Sequence, residues 1–185
     1  MITDNIAVFC RTAEKRSEEN KTAMHLMIQN ALYSNSISIL RQELDLLIRV
    51  IYVLTKSQLI RESLLEQFIN RDRWSLNGRV ITDREMVETA NILHGWARIA
   101  YKFGCAFIHM SYIQDWQDTD PMTVIRPDEK SDLIRYINQY HSANLKEDVA
   151  FDDLKPYLLN VFEKIYGNLS YYIETLRDNK PFEYC

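Results

Sequence analysis

Apolar positions along the chain recur at the three-to-four-residue spacing of amphipathic helices far more than at the alternation expected of strands. Residues 3–33 follow this spacing around a polar middle, AEKRSEENK, which fits one long helix or a break between two. SNS at 34–36 supplies capping hydroxyls or a short break before the next run. From 37 to 55, ISILRQELDLLIRVIYVLT is apolar nearly all round, which predicts a central helix covered on several sides. Its Ile and Val content would also suit a strand, but the unbroken length and the Leu, Gln and Glu interior favour helix. Residues 57–70, SQLIRESLLEQFIN, predict a shorter amphipathic helix.

RDRWSLNGR then reads as a loop containing the Asn-Gly turn pair. Thr82 and Glu85 form a capping-box signature that opens a helix from 83 to about 114. Gly95 and Gly104 lie inside that stretch, as kinks or as places of close backbone approach. Residues 115–130, with two prolines and several turn formers, predict a loop. Helix returns over 128–141, HSANLKEDVA connects, and a last helix runs from about 153 to 177 with Pro156 in its first turn. The pattern predicts one all-α domain over residues 1–185, a bundle of five or six helices.

Composition narrows the functional classes. Only four Gly and four Pro occur in 185 residues, which favours long helices over hairpins. The net charge of −4 and pI of about 5.6 give no global attraction to nucleic acid or anionic membrane, so RNA binding would need a local basic patch. Three cysteines, at 10, 105 and 185, show no CxxC spacing, which argues against a zinc site or a disulfide framework and for a reducing cytoplasm. The N-terminus does not read as a signal peptide. LLIRVIYVL at 46–54 is too short to span a bilayer and contains Arg49, so no membrane association is expected.

Three groups of residues are candidates for chemistry. Arg41, Asp45 and Arg49 recur every four residues in the central helix and share a face, with Arg41 and Asp45 in ion-pair reach. If that helix is buried, the charges must be paired, either as a helix-orienting ion pair or as part of a site. In the later run YKFGCAFIHMSYIQDW, His109 is eleven residues from Arg98 and seven from Lys102, each within about 20° of whole turns. Arg98, Lys102, Cys105 and His109 therefore form one stripe, and a satisfied core histidine is the plain alternative. Arg135 and His141 are a third pair, about 120° apart on an unbroken helix, so cooperation requires a break near His141 or a second chain. His25 and His94 have no evident companions. No metal-ligand spacing, phosphate-cradling glycine loop or nucleophile elbow occurs, so no cofactor is expected.

SNSISILRQELDLLIRVIYVL resembles the helix of HEPN-like bacterial proteins in which an Arg, here Arg41, is followed four residues on by an acidic residue, here Asp45. YKFGCAFIHMS is similar to their later helix, in which a histidine, here His109, is followed by a small polar residue, here Ser111. The two stretches cover under a third of the chain. The resemblance implies an all-α, often dimeric bundle of the kind found in toxin–antitoxin, abortive-infection and phage-defence settings. Many such proteins are metal-independent ribonucleases with an Arg, a polar residue, spacers and a His. Arg135 and His141 match that spacing, while Tyr136 occupies the slot usually held by Asn, Asp or His.

Two functions compete on these grounds. One is a metal-independent endoribonuclease with His109, Arg41 and Asp45 (or Arg135 and His141) as catalytic groups and Arg98, Lys102 and Arg49 as substrate-binding cations. In it, His109 faces Arg41 and Asp45 across the bundle. The other is a non-catalytic helical interaction or sensor module that dimerises and binds a protein partner. The expected associations are a homodimer, RNA or a partner protein.

Overall fold

The computed structural model describes residues 2–108 and 119–178. The polar middle of the first segment is not a break: α1 runs from Ile2 to Gln29 as one helix. Ser17 and Asn20, in that polar middle, are buried because they hydrogen-bond Glu43 of the next helix, which is fully buried (0% exposed). The chain turns at residues 30–32, where Ala31 is left-handed (φ 55°). SNS therefore falls inside α2 (Tyr33–Leu54) rather than before it, and the Ser36 hydroxyl donates to the Leu32 carbonyl at 3.0 Å. Helix α3 (Gln58–Asn70) follows, and its buried Arg61 reaches back to donate to the last carbonyl of α2, Leu54 O, at 2.8 Å.

The Asn-Gly pair does more than make a loop. Asn77 (φ 51°) and Gly78 (φ 77°) are both left-handed, as a type I′ turn requires, and close a minimal hairpin of β1 (Ser75–Leu76) and β2 (Arg79–Val80). Thr82 then caps α4 (Asp83–Leu93) by accepting from the Glu85 N–H.

The single helix expected from 83 to about 114 is divided. His94, Gly95 and Trp96 leave helical geometry between α4 and α5 (Ala97–Ile108). His94 hydrogen-bonds the Tyr172 hydroxyl at 3.0 Å, Trp96 is buried against Tyr136, and the Asn91 side chain accepts from the Arg98 N–H. These contacts hold the corner, and the unpartnered N–H at the start of α5 is met by a side chain as at any helix start.

The predicted 115–130 loop is also partly helical. Asp120 caps the short α6 (Pro121–Val124) through the Met122 N–H, and Pro127 opens α7 (Pro127–His141) at the position where its missing N–H costs nothing. Asp120 further accepts from the Phe151 N–H at 3.1 Å, joining α6 to α8 (Phe151–Leu154). A 3-10 turn over Lys155–Tyr157 contains Pro156, so the final helix α9 (Leu158–Arg177) starts later than expected.

Helix α2 is the axis of an all-α bundle, packed by α1, α4, α5 and α9. Its side chains from Leu47 to Leu54, Arg49 excepted, are almost wholly buried, which explains why the run is apolar nearly all round. The five or six helices expected become more because α4 and α5 separate at the corner and two short helices form in predicted connections. No helix among the described residues is long and apolar enough to cross a membrane.

Candidate functional site

Where α2 meets α5, Arg41 is buried to 3% exposure although it carries a permanent charge. Its Nη1 is in ionic contact with Oδ1 of Asp45, one turn further along α2. The Tyr101 ring of α5 covers the guanidinium, with Cζ 3.6 Å from the ring centroid. Cys105 is a further side-chain partner. Nε of Arg41 meets no acceptor among the described residues. Burial pulls the Arg41 pKa down, but the hydrogen bond and charge of Asp45 outweigh it, so the net shift is upward. Asp45 opens toward solvent, with its side chain 34% exposed. The group is thus a fixed cation in an apolar wall, with a carboxylate at its mouth.

Gly104 makes this packing fit. A Cβ there would lie 2.8 Å from Arg41 Cδ and 3.0 Å from Arg41 Cβ, so only glycine lets the arginine stem lie against α5. No such crowding exists at Gly95. Of the two glycines, one marks the helix corner and the other a close approach by a side chain.

The remaining candidates are distributed elsewhere. Arg49 turns to Asp83 (3.3 Å) and lies over Trp74, 5.6 Å from the ring centroid. Arg98 pairs with Glu88 (3.4 Å), and Lys102 pairs with Glu129 (3.3 Å), which also holds Arg126 (2.8 Å). Arg98 and Lys102 line a cavity of about 140 Å³ between α5 and α7, away from Arg41. Of the α5 stripe, Arg98, Lys102 and Cys105 fall within the described residues, and of these Cys105 is a partner of Arg41, beside Tyr101 and Gly104 of the same helix. His109 and Ser111 lie outside the described residues, one and three positions beyond Ile108 at the end of α5.

Arg135 and His141 do not converge. Helix α7 is unbroken through His141 and turns only at Ser142 (φ 53°), so the two side chains stay on different faces. Arg135 is exposed and paired with Asp132, while His141 hydrogen-bonds the Tyr136 hydroxyl at 3.3 Å. Tyr136 is thus a core ring between Trp96 and His141.

One residue of the Arg41 environment, Tyr101, escaped sequence reasoning, and it carries no local mark of its role. Gly104 was marked as a kink or a close approach, since glycine in a helix interior disfavours helix and calls for a packing reason; what approaches it is the Arg41 side chain. Glu43 was also missed; Ser17 and Asn20, one turn apart in α1, were its only signal. Burial raises the Glu43 pKa, partly offset by the hydrogen bonds from Ser17 and Asn20. Among the described residues, no group of three or more His, Cys, Asp and Glu could hold a metal ion. In comparisons with known proteins, the chain matches no family model, no curated protein and no solved structure.

Proposed function

We propose that this protein is a metal-independent endoribonuclease of HEPN-like type, in which Arg41 meets the scissile phosphate and His109 transfers a proton. The observation that carries the reading is the Arg41 guanidinium: desolvated, held by Asp45 and faced by Tyr101. Such a cation, pre-oriented in a low-dielectric wall, suits charge that develops on a phosphorane. Cleavage of RNA also needs a group that titrates near neutrality, and histidine is the side chain that does so without perturbation. Asp45 holds the arginine in place. A toxin–antitoxin or phage-defence setting is where the resemblance puts such a protein, acting in the cytoplasm as a two-fold dimer.

Incubation of the purified protein with labelled RNA in EDTA tests this. Wild type should cleave, and Arg41→Lys and His109→Ala should lose cleavage per folded molecule, measured below the melting temperature of each variant. Lysine cannot reproduce the fork or the stacking of arginine, so that exchange is not conservative here. Equal cleavage by all three proteins, or none by any, removes the reading.

A second reading, a non-catalytic helical module that binds a protein partner, draws support from large apolar side chains left in solvent, Leu59 at 79% and Ile92 at 75% exposure. It is favoured if RNA stays intact and a stoichiometric protein is retained in pull-downs. Light scattering reports on the dimer under either reading; a 22 kDa species at tens of micromolar rules it out.

A further inference from the structure

A cavity of about 510 Å³ lies between α1, α2, α3, the hairpin and the start of α4. Its inner surface is apolar and aromatic: Phe9, Phe68 and Trp74 form one cluster, with Phe9 edge-on to Phe68 at 4.9 Å and tilted against Trp74 at 6.1 Å. Its rim carries three arginines, Arg49, Arg71 and Arg73. Arg49 is engaged with Asp83 and Trp74. Arg71 and Arg73 are exposed and make no ion pair among the described residues. Asp72 stands between them, so with Asp83 the lining holds three guanidiniums against two carboxylates.

The loop that presents these groups is anchored. The Gln67 side chain binds Ser75 twice, accepting from its N–H at 2.7 Å and donating to its carbonyl at 3.1 Å. The Arg71 N–H donates to the Phe68 carbonyl, and Trp74 is wedged between Phe9 and Tyr52. The cavity is therefore preformed, and its volume falls within the range of about 300–1,000 Å³ typical of small-molecule sites.

We propose that this cavity binds a phosphorylated aromatic small molecule of about nucleoside-monophosphate size. The apolar floor takes a flat ring, and the guanidiniums of Arg71 and Arg73 take the phosphate. An uncharged ring would leave both guanidiniums unused. Free phosphate would leave the aromatic floor unused. Arginine forks suit a phosphate that offers several acceptor oxygens. A single excess positive charge cannot hold an anion firmly by itself, so ring and phosphate must act together. This site is separate from the catalytic groups of the RNA-cleavage reading, since it uses neither Arg41 nor His109; the two share Arg49 alone, which Asp83 and Trp74 already engage.

Isothermal titration with AMP as the probe tests the proposal, with adenosine and inorganic phosphate as separate arms. The expected result is saturable 1:1 binding of AMP, with adenosine and phosphate each weaker by about tenfold or more. The double variant Arg71→Gln/Arg73→Gln changes only exposed side chains, so it should fold, and it should weaken AMP by about tenfold or more. Lys146→Gln, a charge loss in the connection before α8, should bind AMP like wild type. AMP binding that survives the double variant, phosphate that binds as tightly as AMP, or no heat with AMP up to about 5 mM each overturns the proposal.

Discussion

Arg41 shows how a single residue shapes its surroundings. A buried guanidinium needs an anion, a covering surface and room for its stem; Asp45, Tyr101 and Gly104 supply these in turn. Two predictions belong here. Gly104→Ala should destabilise the protein by about 1–2 kcal/mol, because overpacking against the Arg41 stem exceeds the roughly 1 kcal/mol that alanine gains in a helix. Urea unfolding reads this, and a variant more stable than wild type would show that the close approach relaxes without cost. Asp45→Ala should cost about 2 kcal/mol, less than for a fully buried pair because the Asp45 carboxylate is partly solvated. Asp45→Asn, which keeps an acceptor oxygen, should cost less than Asp45→Ala in the same measurement. If the two are equal, the carboxylate charge and the acceptor contribute nothing separable.

At the level of elements, the ends of helices are where sequence and tertiary contacts negotiate. Helix α2 ends at Leu54, which is fully buried, so its orphaned terminal carbonyl needs a partner from the protein. Arg61 of α3 closes that end, with Nη2 2.8 Å from Leu54 O and 3.4 Å from Lys56 O. Burial lowers the Arg61 pKa. Arg61→Met keeps the stem and removes the donors, and it should lower unfolding free energy by about 2 kcal/mol, the cost of leaving buried acceptors unmet. Hydrogen exchange localises the effect: amides in the last turn of α2 and the first turn of α3 should lose protection before the rest. A uniform loss would mean that Arg61 acts through general packing. The α4–α5 corner follows the same logic, for the sequence from 83 to 108 is helical by periodicity and is divided by contacts of His94 and Trp96 with distant chain segments.

At the scale of the whole molecule, two histidines predict a pH dependence of stability. His94 lies against Trp96 and Tyr172, His141 lies against Tyr136, and Lys164 of α9 bears on both. Burial, and then the Lys164 charge, depress both pKa values below 6.5. The unfolded chain therefore binds protons more readily than the folded one as pH falls, so the stability these groups give is full above 6.5 and is lost as pH drops toward their folded values. Glu43 works in the opposite sense, since its raised pKa favours the folded state as pH falls toward 4.5. The melting temperature should thus be level from about pH 8 to 6.5 and decline just below that. His94→Asn/His141→Asn should flatten the decline even if it lowers the overall melting temperature. An unchanged slope in the double variant would assign the acid sensitivity to other groups.

Local chemistry was legible in the chain before any fold was known. Helical periodicity, the Thr82 cap, the Asn-Gly turn pair and the Arg41–Asp45 pair all depend on residues within a turn or two of each other, and short-range geometry allows few alternatives. The rest depends on how helices are rotated against one another, which no single segment encodes. That rotation sends Arg49 to Trp74 and Asp83, leaves Arg98 and Lys102 paired at the surface, and sets Tyr101 and Gly104 against Arg41. It also turns the polar middle of α1, which by itself fits one helix or two, into the hydrogen-bonding partner of Glu43. A charge is placed by its neighbours in space, and in a helical bundle those neighbours come from distant turns of the chain.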